Sequence, residues 1–283
     1  MKKLKYLFTC LILLSTQNLI AMPTLGGMQF WNDIYCSANY KIQKNVITGH
    51  CRVLKDNYLR ETFGSEEKCK NYLKNLNLNN SPKKLYLIHG LGRSHWSMSK
   101  TAKHFSALGY QVHSINYASL FQNSKTSAGI LTKLINSNDK NTNNYFITHS
   151  NGGILFRAIS PNISYQSAAL LACPNQGSQI IDFLKKYHLH HLTGPNGRQL
   201  ASDSELIKNL PQAQNTISIA GDGQATFFNP PLGFMFNQAN DGIVAVKNTH
   251  LANPSQNYTV KASHTFIMNS PDTWAIIDKH FKQ

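Results

Sequence analysis

The sequence predicts an α/β protein built on a mostly parallel, doubly wound sheet flanked by helices. Three observations carry this. Nearly continuous apolar runs recur beyond residue 83, among them Leu85-Tyr86-Leu87-Ile88, Tyr145-Phe146-Ile147 and Ala168-Ala169-Leu170-Leu171-Ala172, as expected of strands covered on both faces. Segments with helical spacing of apolar residues separate them, so strands and helices alternate. At 283 residues and 41% hydrophobic composition, the chain has enough apolar material for one large core.

Taken in order, residues 1–21 carry Lys2, Lys3 and Lys5, an apolar run at 6–14, and Leu19-Ile20-Ala21. That is the layout of a secretory signal peptide, which predicts an exported protein, periplasmic or secreted, cleaved near Ala21. The nine-residue run is too short to cross a bilayer as a helix. Residues 22–82 are expected to form an N-terminal extension with strand-like runs around 33–40 and 50–54. A short amphipathic helix follows, with Ser65 as N-cap, Glu66 and Glu67 in the first turn, and Cys69, Tyr72, Leu73 and Leu76 at helical spacing. Cys36 and Cys51 fall in neighbouring runs and are expected to pair in an oxidising compartment, whereas Cys173 reads as a small buried hydrophobe.

The main domain is expected over 83–283. Strands are predicted at 85–88, 110–115, 145–148, 167–172, 216–220 and 258–260, with helices between the first three and a last helix from about Pro271. Without the leader, 25 Lys and Arg stand against 13 Asp and Glu, a net charge of +12. Such a charge favours anionic partners, and for an exported chain the nearest is a membrane surface. No nucleic-acid-binding motif accompanies it. The cluster Tyr187-His188-Leu189-His190-His191 has no spaced acids or cysteines around it, so no metal is expected, and no cofactor.

The chemistry centres on Thr148-His149-Ser150-Asn151-Gly152-Gly153, a strand running through a sharp turn into a helix with serine at its apex. A nucleophile elbow has this construction, because the strained serine needs small neighbours to let strand and helix approach. Gly152 and Gly153 meet that need, while Thr148 stands where the first glycine of G-x-S-x-G would be. His89-Gly90-Leu91-Gly92 follows an earlier strand, so the N–H groups of Leu91 and Asn151 can converge on one oxyanion. There the backbone acts, and His89 reads as a structural histidine. A serine hydroxyl also needs a base and an acid to orient it. Among His250, His264 and His280, only His264 sits in the loop after the last strand. For the acid, Asp222 and Asp241 both fall near the last two strands, and spacing leaves the choice between them open.

The chain resembles the bacterial lipase-like α/β-hydrolases over residues 85–281. The likeness rests on Leu87-Ile88-His89-Gly90-Leu91-Gly92-Arg93-Ser94, on the serine turn and on Pro174-Asn175-Gln176-Gly177-Ser178. It continues through Gly194-Pro195-Asn196-Gly197-Arg198-Gln199-Leu200, Asn240-Asp241-Gly242-Ile243-Val244 and Ser263-His264-Thr265-Phe266-Ile267-Met268. The resemblance implies the α/β-hydrolase fold and a serine esterase or lipase acting on lipid or other acyl esters. It also implies a triad of Ser150, Asp241 and His264, with Asp222 second to Asp241. Two insertions, residues 179–214 and the apolar stretch 227–236, are the expected sources of an acyl-chain cleft or cover. Competing readings are an acyltransferase on the same triad and a surface-binding homologue without activity.

Overall fold

The computed structural model describes residues 22–23, 28–137, 143–223 and 236–283. The expected leader and most of the apolar stretch 227–236 lie outside the described residues. Strands β6 (Lys83–Ile88), β7 (Gln111–Ile115), β8 (Asn143–His149), β9 (Ser167–Leu171), β10 (Thr216–Gly221) and β11 (Asn257–Val260) form one parallel sheet in the order β11-β10-β9-β8-β6-β7. Each predicted strand is present within one or two residues. The chain first steps from β6 outward to β7, then crosses back over β6 to β8 and continues the other way. Strand order therefore reverses between β6 and β8, and in open parallel sheets ligands bind beyond the carboxyl ends of the strands at such a reversal.

Alternation along the strands divides the core. Leu85, Leu87, Ile147, Ala169, Ile217 and Ile219 pack on one face with Phe105 of helix α2 (Ser99–Ala107) and Ile277 and Phe281 of the C-terminal helix (Pro271–Phe281). Tyr86, Ile88, Phe146 and Leu170 pack on the other with Leu131 and Leu134 of α3 (Ser124–Asn136) and Ile154 and Phe156 of α4 (Asn151–Ile159). Burial of each such side chain contributes about 1.5–3 kcal/mol. Two-sided burial is why these strands carry apolar residues without a polar face.

The N-terminal region is a separate antiparallel sheet in the order β1-β5-β4-β3-β2, made of β1 (Met22–Pro23), β2 (Trp31–Ser37), β3 (Tyr40–Asn45), β4 (Cys51–Lys55) and β5 (Leu59–Gly64). Helix α1 (Glu66–Lys74) covers one face through Cys69 and Leu73 against Ile42, Cys51 and Val53, and Ser65 caps it by accepting from the Lys68 N–H. The run expected around 33–40 is in fact two strands, β2 and β3, joined at Ala38, whose φ of 47° makes the turn.

This corrects the cysteine pairing. Among the described residues Cys36 and Cys51 are free thiols, as are Cys69 and Cys173. Cys36 lies on β2 and Cys51 on β4, with β3 between them, and Cys36 stands level with Leu54 rather than with Cys51, so they are separated by more than two strand spacings, which together are roughly 9.5 Å, beyond the reach of a disulfide.

The N-terminal sheet docks on the main sheet through polar groups. Asp33, 1% exposed, accepts hydrogen bonds from Lys41 Nζ at 3.1 Å, Gln43 Nε2 at 2.7 Å and the Asn116 N–H at 2.9 Å, just beyond β7. Lys41 also donates to the Ser114 carbonyl at 2.8 Å. Burial opposes the charge on Lys41, but Asp33 beside it more than offsets this and holds its pKa above the ordinary value.

Candidate active site

Both loops at the strand-order reversal are shaped by close packing. At the end of β8, Ser150 takes φ 53° and ψ −124°, a conformation rare for a residue with a side chain, and its N–H donates to the Leu171 carbonyl at 2.8 Å. The two glycines after it hold the strain in place: a Cβ on Gly152 would lie 2.4 Å from the Ile88 carbonyl oxygen, and one on Gly153 2.6 Å from Cys173 Sγ. No side chain fits at either position, so α4 starts directly against β6. Thr148, in the place of the motif's first glycine, is fully buried at the strand end, where its Oγ1 donates to the Ala169 carbonyl at 3.4 Å.

Gly90 and Leu91, after β6, face the serine turn. A Cβ at Gly90 would sit 2.9 Å from His149 Nδ1 and 3.1 Å from Ser150 Cβ. Asn151 opens α4, where the first N–H groups have no acceptor within the helix. Its side chain is fixed by Nδ2 donation to Tyr117 Oη at 3.0 Å, and that hydroxyl donates to the His89 carbonyl at 2.9 Å. His89 itself is buried, with Nδ1 2.8 Å from the Gly90 carbonyl, and burial lowers its pKa to about 4. It is a neutral structural ring.

His264 lies in the loop after β11, 7% exposed. Its Nδ1 is 2.8 Å from Asp241 Oδ2, and its backbone N–H donates to the Asp241 carbonyl at 2.9 Å. Asp241 is fully buried; its other oxygen, Oδ1, accepts from the N–H groups of Ile243 at 2.9 Å and Val244 at 2.7 Å. Hydrogen bonds on both oxygens hold this buried carboxylate in one orientation. Gly221, ending β10, makes room, because a Cβ there would lie 2.8 Å from Asp241 Cβ. Asp222 instead pairs with Lys261 Nζ at 2.6 Å, away from His264. His280 stands on the C-terminal helix near the Asn215 carbonyl, and His250 comes after a single helical turn.

Ser150 and His264 line the same cleft of about 300 Å³. Its walls are largely apolar: Leu91, Pro174, Ile180, Ile181, Leu184, Leu200, Ile243 and Val244. Several come from the insertion at 179–214, chiefly helix α5 (Gln179–Lys186), which buries Ile180 and Ile181.

Two residues near Ser150 were given no role by the sequence. His149 is fully buried; its Nε2 lies 2.9 Å from the His264 carbonyl oxygen, which can only accept, so Nε2 carries the proton. Burial holds its pKa well below the ordinary value. Arg93 lines the cleft beside Gly90 and Leu91. Its place directly after the glycine turn, within the first segment of the resemblance, was the signal for it, and a charged residue after a turn reads equally as solvated surface.

No family model matches the chain, and no curated protein sequence does. Solved structures do match. The propeptide form of Bacillus licheniformis lipase BlEst2 aligns with a TM-score of 0.59 at 19% identity, over 72% of this chain and 51% of that one. The mature form aligns with a TM-score of 0.56 at 18% identity, over 70% of this chain and 91% of that one. The chain thus spans about half the length of the propeptide form. At this identity the likeness establishes the α/β-hydrolase fold.

Proposed function

From an α/β-hydrolase fold that brings Ser150 and His264 into one apolar cleft, we propose that this chain is a serine carboxylic-ester hydrolase, a lipase or esterase working through an acyl-enzyme. The observation that carries the reading is the strained serine facing a cleft shared with a histidine whose far nitrogen is tied to a buried carboxylate.

In the proposed reaction Asp241 Oδ2 accepts Nδ1–H of His264, which leaves the Nε2 lone pair for the serine proton. Ser150 Oγ attacks the acyl carbon while Nε2 takes that proton. The oxyanion is met by the N–H groups of Leu91 and Asn151, each donor of this kind being worth about 3–4 kcal/mol of barrier. Collapse of the tetrahedral species breaks the ester C–O bond, and the proton on Nε2 goes to the departing alcohol. Water then attacks the acyl-enzyme by the same route, with His264 as base, and returns the serine hydroxyl. No hydrogen bond joins Ser150 Oγ to His264 Nε2 among the described residues; such contacts commonly tighten only with substrate seated.

The apolar walls favour an acyl chain over a polar acid part. Around the cleft, α5 and the turns after it leave Phe183, Tyr187, Leu189 and Leu192 exposed beside Lys186, which suits a lipid surface of negative charge. Export after the leader would bring the protein to such surfaces. The test is hydrolysis of chromogenic p-nitrophenyl esters of increasing chain length by the wild type and by Ser150→Ala, with labelling by an active-serine phosphonate. Turnover and labelling that vanish together in Ser150→Ala support the reading; turnover that survives refutes it.

A further inference from the structure

Resting on that reading, we infer that Arg93 is a specificity-determining residue, holding the phosphate of an acyl glycerophosphate, so that the natural substrate carries an anionic phosphoryl group close to the cleaved ester. Arg93 belongs to the wall of the Ser150 cleft. Its charge is felt at both His89 and His149, the rings that flank the two loops meeting there. Among the described residues it has no carboxylate partner, and burial alone acts on it, lowering its pKa. The acid whose charge also reaches His89, Asp33, is engaged by Lys41 and Gln43, and the acid of the Ser150 cleft, Asp241, by His264.

A partly buried guanidinium without an anion is costly unless a ligand supplies one. Arginine offers a planar fork that matches phosphate oxygens two at a time. Its backbone is built to stay in place. Gly92 takes φ +67°, its N–H donates to Ser119 Oγ at 2.9 Å, and the Arg93 carbonyl accepts from Gln29 Nε2 at 2.7 Å. Gln29 also bonds Ser119, at 3.0 Å. The segment leading into the N-terminal sheet therefore braces the loop that presents Arg93. In one cleft the substrate finds apolar walls for its acyl chain, a nucleophile for its carbonyl and a fixed cation for its phosphate.

The experiment compares kcat/KM for a lysophosphatidylglycerol and for the monoacylglycerol of the same chain, in the wild type, Arg93→Gln and Arg93→Lys. The ratio of phospholipid to neutral ester is expected to fall about tenfold or more in Arg93→Gln and to recover in part in Arg93→Lys, as losing a charge-assisted contact implies. A ratio that does not move overturns the inference, as does an equal shift for a matched ester bearing a carboxylate. A second measurement needs no variant: octyl phosphate should inhibit neutral-ester hydrolysis by the wild type at a concentration about tenfold or more below that of octanol. Equal inhibition overturns the inference, and inorganic phosphate as potent as octyl phosphate overturns the lipid source of the anion. If the wild type cleaves neither ester, the hydrolase reading fails with it. If it cleaves the neutral ester in a Ser150-dependent way and the ratio stays fixed, only the phosphate site fails.

Discussion

His264 is tied to Asp241 twice, by its ring at 2.8 Å through Nδ1 and Oδ2 and by its main chain at 2.9 Å through its N–H and the Asp241 carbonyl. The two loops after β10 and β11 therefore move as one piece, and the imidazole has little freedom to turn. Hydrogen bonds to the Ile243 and Val244 N–H groups fix the carboxylate from its other side.

This geometry separates the two candidate acids. Asp241→Asn keeps the shape but offers the ring a donor or a neutral acceptor, and kcat should fall about 10⁴-fold, the scale seen when such an acid is lost. Asp222→Asn breaks only the pair with Lys261, whose side chain is largely exposed, and kcat should stay within about threefold. Steady-state kinetics on one p-nitrophenyl ester decide; a large loss in Asp222→Asn with a small one in Asp241→Asn would reverse the assignment.

Gly152→Ala tests the elbow as a packing device. The added methyl would meet the Ile88 and His89 carbonyl oxygens at 2.4 and 2.7 Å, both backbone atoms that cannot step aside without moving β6. A destabilisation of about 3 kcal/mol is expected from overpacking of this kind, read by urea denaturation. Wild-type stability in the variant would mean that α4 has room to shift.

Asp33→Ala tests the docking of the N-terminal sheet. It leaves Lys41 buried without its partner, with Gln43 Nε2 and the Asn116 N–H each losing an acceptor. Breaking one side of a buried pair costs about 3–5 kcal/mol. Because Gln29, in the adjoining segment, braces Arg93, loosening this sheet should also raise KM for the ester substrate. A loss under about 1 kcal/mol by chemical denaturation would show the interface to be dispensable.

Stability should depend on pH through histidines that stay neutral when folded. Burial lowers His89 to about 4, His95 and His113 to about 3, and His149 well below its usual value. The unfolded chain takes up protons at these rings below about pH 6.5 while the folded chain does not. Stability is thus fully present above that pH and is lost as pH falls, by about 1.4 kcal/mol per unit for each ring at most, until the folded rings themselves protonate near 4 to 3. His113 stacks on Tyr86, and its Nε2 has no hydrogen-bond partner among the described residues, so His113→Phe should make the slope shallower. Urea midpoints between pH 7.5 and 5 measure it, and a flat profile would contradict the burial.

Reading the sequence recovered the sheet because two-sided burial writes itself as apolar runs, and it recovered the serine turn because strain at Ser150 demands glycines close by. Asp241 and Asp222 were not separable from their spacing, since both come after β10; the resemblance preferred Asp241, and in the folded chain it is Asp241 that meets His264 while Asp222 pairs with Lys261. How the N-terminal sheet docks was not legible for a related reason. Asp33, Lys41 and Gln43 look like the wet face of a strand, yet they are buried against the end of β7, where they satisfy one another and the Ser114 and Asn116 backbone.

By itself, then, the sequence determined where the strands of the main sheet and the strained serine lie, since each depends on neighbours within a few residues. Which distant groups touch shows only in the tertiary structure: the Cys36–Cys51 bridge it denies, the hydrogen bond from His264 to the acid that the resemblance had implied, and the cation without a carboxylate partner in the cleft among the described residues. Local pattern encodes burial, but a hydrogen bond between residues far apart in the chain depends on the strand order that brings their loops to one edge.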